Sequence, residues 1–249
     1  MPELVIAPAK LTLSLRVTGT RNDGYHLIDA EMVTLDLADT LEFSAGDGLD
    51  LELDEAPTTG GVAPAPVPAG DENLVRKALN VLGRRAHVNL RKRIPVGAGL
   101  GGGSADAAAV LRWAGNADLE LAATLGADVP FCLVGGRARV RGIGERVDPL
   151  SFDEVEGQVF TLLTPPVHVS TVEVYRRWDR MGGPTGANAN DLEPAAIAAY
   201  PELCRWRDRL GEATGETPML AGSGGTWFVA GDFPDSGRVV RVCHPNGLR

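Results

Sequence analysis

The chain has 249 residues, 44% of them hydrophobic and 23% charged; this excludes a wholly disordered chain and allows a core that needs no disulfide or metal staple. With 24 Lys and Arg against 33 Asp and Glu, the net charge is −9, so general nucleic-acid binding, which needs an electropositive face, is not expected. No apolar run reaches the roughly 18 residues of a membrane span, the start MPELVIAPAK has no signal-peptide pattern, and Cys132, Cys204 and Cys243 have no paired spacing. A cytoplasmic protein with reduced thiols is expected, without membrane partners or structural zinc.

Leu11, Leu13, Leu15 and Val17 alternate with other residues and predict a half-buried strand, followed by a turn cluster over Thr20–Gly24. Strands are predicted over 28–37, 40–44 and 48–53, and a loop over the Pro-, Gly- and Ala-rich stretch 56–70. Asp71 is placed to cap a helix carrying Leu74, Ala78, Leu79 and Leu82. A strand over 86–94 leads into a glycine loop and an alanine-rich helix, then a short helix near 118–125 and a strand over 137–141. The pattern restarts around 150–157. A strand over 158–164 precedes a helix that Ser170 or Thr171 can cap, and helices near 193–199 and 201–213 follow. A strand, glycine turn and strand over 217–229 and a last strand over 238–243 complete the chain. Strands mixed with helices, without strict alternation, indicate the α+β class and not a doubly wound sheet.

The strongest local signal is Gly97-Ala98-Gly99-Leu100-Gly101-Gly102-Gly103-Ser104. Glycines let the backbone approach a ligand closely, and a loop feeding a helix aims N–H groups and the positive dipole end at one spot. A phosphate site is the reading, with a plain tight turn as its alternative. A Walker A loop is excluded because no Lys precedes Ser104. Gly97, Gly99 and Gly102 match G-x-G-x-x-G, with Glu120 at a ribose-contact distance. The preceding strand, however, carries Arg91, Lys92 and Arg93, unlike the buried strand of a dinucleotide fold.

The stretch Pro95–Ala109 resembles the phosphate-binding motif of the galactokinase, homoserine kinase, mevalonate kinase and phosphomevalonate kinase superfamily. Ala7-Pro8-Ala9-Lys10-Leu11 with GTRNDGYHL (19–27), LGADVPFCL (125–133) with Gly142-Ile143-Gly144-Glu145, Asn190-Asp191-Leu192-Glu193, and Ala221-Gly222-Ser223-Gly224 narrow the match. In this order they resemble the 4-diphosphocytidyl-2-C-methyl-D-erythritol kinase family along nearly the whole chain. The resemblance implies a two-domain small-molecule kinase fold. Residues 1–152 would form a ribosomal-S5-like α+β domain and 153–249 a ferredoxin-like α+β domain, with the site in the cleft between them.

The implied reaction moves the γ-phosphoryl group of ATP, with Mg2+, to the 2-hydroxyl of a cytidine diphosphate-linked sugar alcohol in the non-mevalonate isoprenoid pathway. Monomer and homodimer both stay open. Pro95, Gly97, Gly99, Leu100, Gly101, Gly102, Gly103 and Ser104 are expected at the ATP phosphates, Ser104 also at the metal. Its other use is a helix N-cap, and both can hold together. Asp106 is read as a first-turn carboxylate favoured by the helix dipole. Asp128 is implied as the base, against the commoner use of such an Asp as a cap. Lys10 is implied as its partner, against a surface lysine. The chain holds 21 Arg and only 3 Lys, so an ammonium at Lys10 suggests a need for a compact charge; it would also keep Asp128 ionised. Lys77 and Lys92 are read as solvated.

Tyr25 and His26 are implied at the cytosine, by stacking and by hydrogen bonding, with Tyr175 as a second aromatic; core packing and a surface His are the alternatives. Thr12, Thr171, Gly222 and Ser223 complete the expected acceptor site. The sequence departs from the family pattern at Thr12 (usually Asn), at Ala105 (usually Ser), at the bulky Gly225-Thr226-Trp227, and in a shortened segment before Gly126. A sister kinase with another alcohol acceptor and a weakly catalytic nucleotide-binding module are the alternatives.

Overall fold

The computed structural model describes residues 2–54 and 70–245. Apart from Gly70, the loop expected over 56–70 lies outside the described residues. The expected alternation at the N-terminus extends into one long strand, β1 (Glu3–Thr20). The strands expected over 28–37 and 40–44 are a single strand, β2 (His26–Ser44). No Gly or Pro interrupts that stretch, and Ala38 and Asp39, which lie between the two, continue the antiparallel ladder by pairing with Pro8 and Ala7. β1 and β2 pair from Glu3↔Phe43 to Thr20↔His26, with irregularities between Pro8 and Lys10, Thr12 and Ser14, and Val17 and Gly19. Such bulges re-aim side chains. Here they flank Lys10 and Thr12, both buried.

β3 (Gly48–Leu53), β4 (His87–Lys92), β5 (Arg137–Gly142) and β6 (Arg146–Pro149) complete the first sheet, in the order β3-β4-β2-β5-β6 with β1 also on β2. Helix α1 (Leu74–Val81) starts later than expected: Asn73, not Asp71, caps it by accepting the Val75 N–H at 2.8 Å. Helix α2 (Gly102–Trp113) packs on β1, α1 and a six-residue helix, α4 (Val129–Val134). Its Ala105, Ala107, Ala108 and Ala109 are fully buried; side chains this small let the helix lie close to the sheet. α3 (Leu119–Leu125) is capped by Asp118.

The chain passes to a second sheet between Pro149 and Val159. β7 (Val159–Leu163), β8 (Met219–Leu220), β9 (Trp227–Ala230) and β10 (Arg238–Arg241) form the order β10-β7-β9-β8. With this sheet go α5 (Thr171–Arg180), capped by Ser170, α6 (Glu193–Ala199) and α7 (Glu202–Thr214). The first sheet is tied to the second half of the chain by isolated bridges Leu15↔Asn190 and Leu35↔Val242, so β1 and β2 form one wall of a cleft whose other wall comes from that half. Among the described residues no helix is long and apolar enough to cross a membrane.

Candidate active site

The glycine loop closes the N-terminal end of α2. Gly101 stands at the N-cap in the left-handed region, at φ 71°, where an L side chain is strained. Ser104 is therefore the third helical residue and not the cap, and Asp106 lies beyond the first turn. Gly99, at φ 80°, meets the second half of the chain backbone to backbone: a Cβ on it would lie 2.6 Å from the Ala221 carbonyl oxygen. The loop from Pro95 to Ser104 lines a cavity of about 310 Å³ together with Lys92 and Asp106. All eight residues expected at the ATP phosphates thus border one space. The amides opening α2 have no partner within the helix, which suits an anion.

Lys92 is not solvated. It is buried and its Nζ is paired with Asp39 and, at 2.6 Å, with Asp106 Oδ2. Asp39 also accepts the backbone N–H groups of Arg93 and Ile94 at 2.5 and 2.8 Å. Asp106 Oδ1 has no hydrogen-bond partner among the described residues. Burial, with Asp39 adding and Lys92 opposing, pushes the Asp106 carboxyl up to about 7. One ammonium between two buried carboxylates leaves a surplus negative charge, and retaining a proton relieves it. Strand alternation gave Lys92 to the inner face, but only the tertiary fold brings Asp39 and Asp106 to it.

A second cavity, of about 500 Å³, holds Lys10, Thr12, Tyr25, His26, Asp128, Thr171, Tyr175, Gly222 and Ser223 in its lining. These are the residues expected for catalysis and acceptor binding, and the structure brings them together. Lys10 Nζ lies 3.4 Å from Asp128 Oδ2 and donates to Thr12 Oγ1 at 3.0 Å. Lys10 is 5% exposed and Asp128 32%, so the ammonium is fixed while the carboxylate faces the cavity. Asp128 occupies the N-cap position of α4 but makes no capping bond. Its side chain turns to Lys10 instead. Thr12, where the family pattern has Asn, supplies an oxygen to the ammonium.

At the far end of the cavity His26 stacks on Tyr175 with ring centroids 4.7 Å apart, and Trp178 meets it edge-on at 5.5 Å. His26 Nε2 lies 2.7 Å from Asp179 Oδ1, an orienting contact that the sequence reading missed. Asp179 follows Tyr175 by four residues, one helical turn, and that spacing was its available signal. Burial pushes the Tyr175 phenol up, so the ring presents a neutral face. Tyr25 stands 60% exposed at the rim, with the Arg21 guanidinium 5.5 Å above its ring.

The second half contributes the Ala221–Gly224 turn. Thr171 Oγ1 and Ser223 Oγ are 2.9 Å apart, joining the start of α5 to that turn. Buried Asn190 donates from Nδ2 to the carbonyls of Leu220 and Gly222, at 2.8 and 2.7 Å. Asp191 accepts from Arg16 Nη1 at 2.6 Å and from the Val17 N–H at 3.0 Å. The Asn-Asp-Leu-Glu motif therefore fastens the turn to the first strand. The bulky Thr226 and Trp227 line neither cavity: both are fully buried, Trp227 in the core. Ala105 is likewise fully buried.

A glycine loop opening a helix, beside an ion-paired Lys and Asp at the junction of two α+β sheets, defines a small-molecule kinase of the GHMP class. The family model for the N-terminal domain of GHMP kinases matches residues 73–136. The chain is 39% identical to a 4-diphosphocytidyl-2-C-methyl-D-erythritol kinase of Ruegeria pomeroyi, over 96% of this chain and 94% of that one. It is 40% identical to the same kinase of Pelotomaculum thermopropionicum, over 94% and 91%. A crystal structure of 4-(cytidine 5'-diphospho)-2C-methyl-D-erythritol kinase superposes with a TM-score of 0.70 at 33% identity, covering 98% of this chain and 99% of that one. The Methanococcus jannaschii mevalonate kinase shares the fold, with a TM-score of 0.61 at 14% identity over 98% and 99% of the two chains. The chain belongs to the 4-diphosphocytidyl-2-C-methyl-D-erythritol kinase family. It is an ATP-dependent kinase of the non-mevalonate isoprenoid pathway.

Proposed function

We propose that the two cavities hold the two substrates: ATP on the glycine loop, and 4-diphosphocytidyl-2-C-methyl-D-erythritol between Lys10–Asp128 and His26–Tyr175. The observation that carries this is the contact between Lys10 and Asp128 within the acceptor cavity. Asp128 accepts the proton of the 2-hydroxyl as its oxygen bonds to the γ-phosphorus, and the bond from that phosphorus to the bridging oxygen breaks to release ADP. Lys10 meets the charge on the moving phosphoryl group. Phosphoryl transfer needs little beyond such positioning and charge compensation. The cytosine stacks at Tyr175 and Tyr25, with its polar edge at His26.

Magnesium would arrive on the ATP phosphates and neutralise their charge. Among the described residues no group of three or more His, Cys, Asp or Glu could hold a metal. Ser104 lines the phosphate cavity, and one hydroxyl with phosphate oxygens and waters is a usual magnesium shell. Residues 1–152 and 153–249 are the two working units, meeting at this cleft. The free thiols of Cys132, Cys204 and Cys243 fit a reducing, cytoplasmic setting.

The test is ADP release with ATP, magnesium and the cytidyl-linked acceptor, against a control without acceptor. Acceptor-dependent release is expected. ATP binding with no release would overturn the assignment.

A further inference from the structure

The acceptor cavity has an electrostatic mismatch. Its lining holds three carboxylates, Asp23, Asp128 and Asp179, and two permanent cations, Lys10 and Arg176. The proposed acceptor carries an anionic diphosphate into that space. Lys10 is committed to Asp128 and Thr12. The Arg176 guanidinium makes no ion pair or hydrogen bond among the described residues, and none of the three carboxylates neutralises it. A cavity that receives a doubly charged bridge has one free guanidinium with which to meet it.

Arg176 lies on the face of α5 that borders the cavity, next to Tyr175. Thr171, Val172, Tyr175, Arg176 and Asp179 line the cavity, the stripe expected of one helical face. Thr171 touches Ser223 at the end nearer Lys10, where a Cβ on Gly222 would lie 3.5 Å from Lys10 Nζ. Asp179 touches His26 at the other end. At 1.5 Å per residue, Arg176 lies about 7.5 Å past Thr171 and about 4.5 Å before Asp179. In the acceptor, the diphosphate lies between the reacting sugar alcohol and the cytosine. Arg176 follows Tyr175 directly, so the cation stands beside the ring proposed to hold the cytosine, where the diphosphate joined to that nucleoside would pass.

We infer that Arg176 binds the diphosphate bridge of the acceptor and sets the spacing between the cytosine and the reacting hydroxyl. A guanidinium suits this because its planar fork matches phosphate oxygens two at a time. It makes the enzyme select a nucleoside diphosphate conjugate over an uncharged nucleoside conjugate of similar length. The inference rests on the proposal that the cytosine sits at Tyr175 and His26.

The experiment is calorimetric titration of wild type, Arg176→Gln, Arg176→Lys and Tyr175→Ala with cytidine, CMP and CDP, without magnesium. Wild type is expected to prefer CDP to cytidine. Arg176→Gln should weaken CDP about tenfold, the scale of a lost charge-assisted bond, and leave cytidine within about twofold; Arg176→Lys should recover part of the loss. In turnover assays the acceptor KM should rise in Arg176→Gln while the ATP KM stays unchanged. If Arg176→Gln keeps the wild-type ratio of CDP to cytidine affinity while Tyr175→Ala weakens both ligands, Arg176 is not the diphosphate contact and the base site stands. If Tyr175→Ala leaves cytidine affinity unchanged, the base site is wrong and this assignment falls with it.

Discussion

Gly101 lies directly beneath the stem of Lys10: a Cβ on Gly101 would come within 2.8 Å of Lys10 Cγ. One residue earlier, the Leu100 carbonyl accepts the Lys10 N–H at 3.0 Å. The loop proposed to meet ATP and the strand that carries the proposed charge-compensating lysine are thus one packed unit.

Gly101→Ala should therefore damage more than phosphate binding. The methyl group has no room unless Lys10 moves, and the left-handed backbone is strained for alanine. A fall in kcat of at least about tenfold is expected, together with a raised ATP KM, since small displacements of reacting groups are costly. Steady-state kinetics with each substrate varied would check this; a change in ATP KM alone would show that Lys10 is not displaced.

Asp128→Asn keeps the shape and the helix-cap position and removes the proposed base. Turnover should drop about 10²- to 10⁴-fold, the usual worth of general base catalysis, with both substrates bound within a few-fold of wild type. Near-normal kcat in this variant would remove Asp128 from the proposed mechanism.

The cluster of Lys92, Asp39 and Asp106 makes a pH-dependent contribution to stability. The ordinary Asp value is 3.8, and the folded Asp106 carboxyl is pushed up to about 7. Between those values the folded chain holds a proton that the unfolded chain releases. The associated stability is present in full below about pH 4 and is lost as pH rises through about 7. Asp106→Asn, which cannot ionise, should gain stability relative to wild type over that range. Urea unfolding of both proteins at pH 4.5, 6 and 8 would test the sign; parallel curves would contradict it. Lys92→Met should lose about 3–5 kcal/mol near neutral pH, because it leaves two buried carboxylates without their cation.

Asn190→Asp exchanges a double donor for an acceptor facing two carbonyl oxygens, those of Leu220 and Gly222. A loss of about 2 kcal/mol or more is expected from leaving those groups unpaired. Because Gly222 and Ser223 line the acceptor cavity, the acceptor KM should rise while the ATP KM changes less. Thermal unfolding and acceptor titration together would check both halves.

Much of this protein was legible in one dimension. Strand alternation, the turn cluster over Thr20–Gly24, the short helix near 118–125, the cap at Ser170, and the glycine loop are local properties. Each depends on residues a few positions apart, so neighbours in sequence carry the information. The family motifs also named many of the residues that line the two cavities, since those segments are contiguous. Other features were decided by contacts between distant segments. The sequence could not tell whether Asp128 caps a helix or meets Lys10, because 118 residues separate the two. Lys92 looked solvated because its two carboxylate partners lie 53 and 14 residues away. Asp179 and Arg176 had no motif, and only the tertiary fold, which brings α5 to the cavity beside His26, turns one to that ring and leaves the other open to the cavity. Local spacing fixes backbone state, whereas the partner of a charged side chain is fixed by whichever opposite charge the folded core brings within a few ångströms.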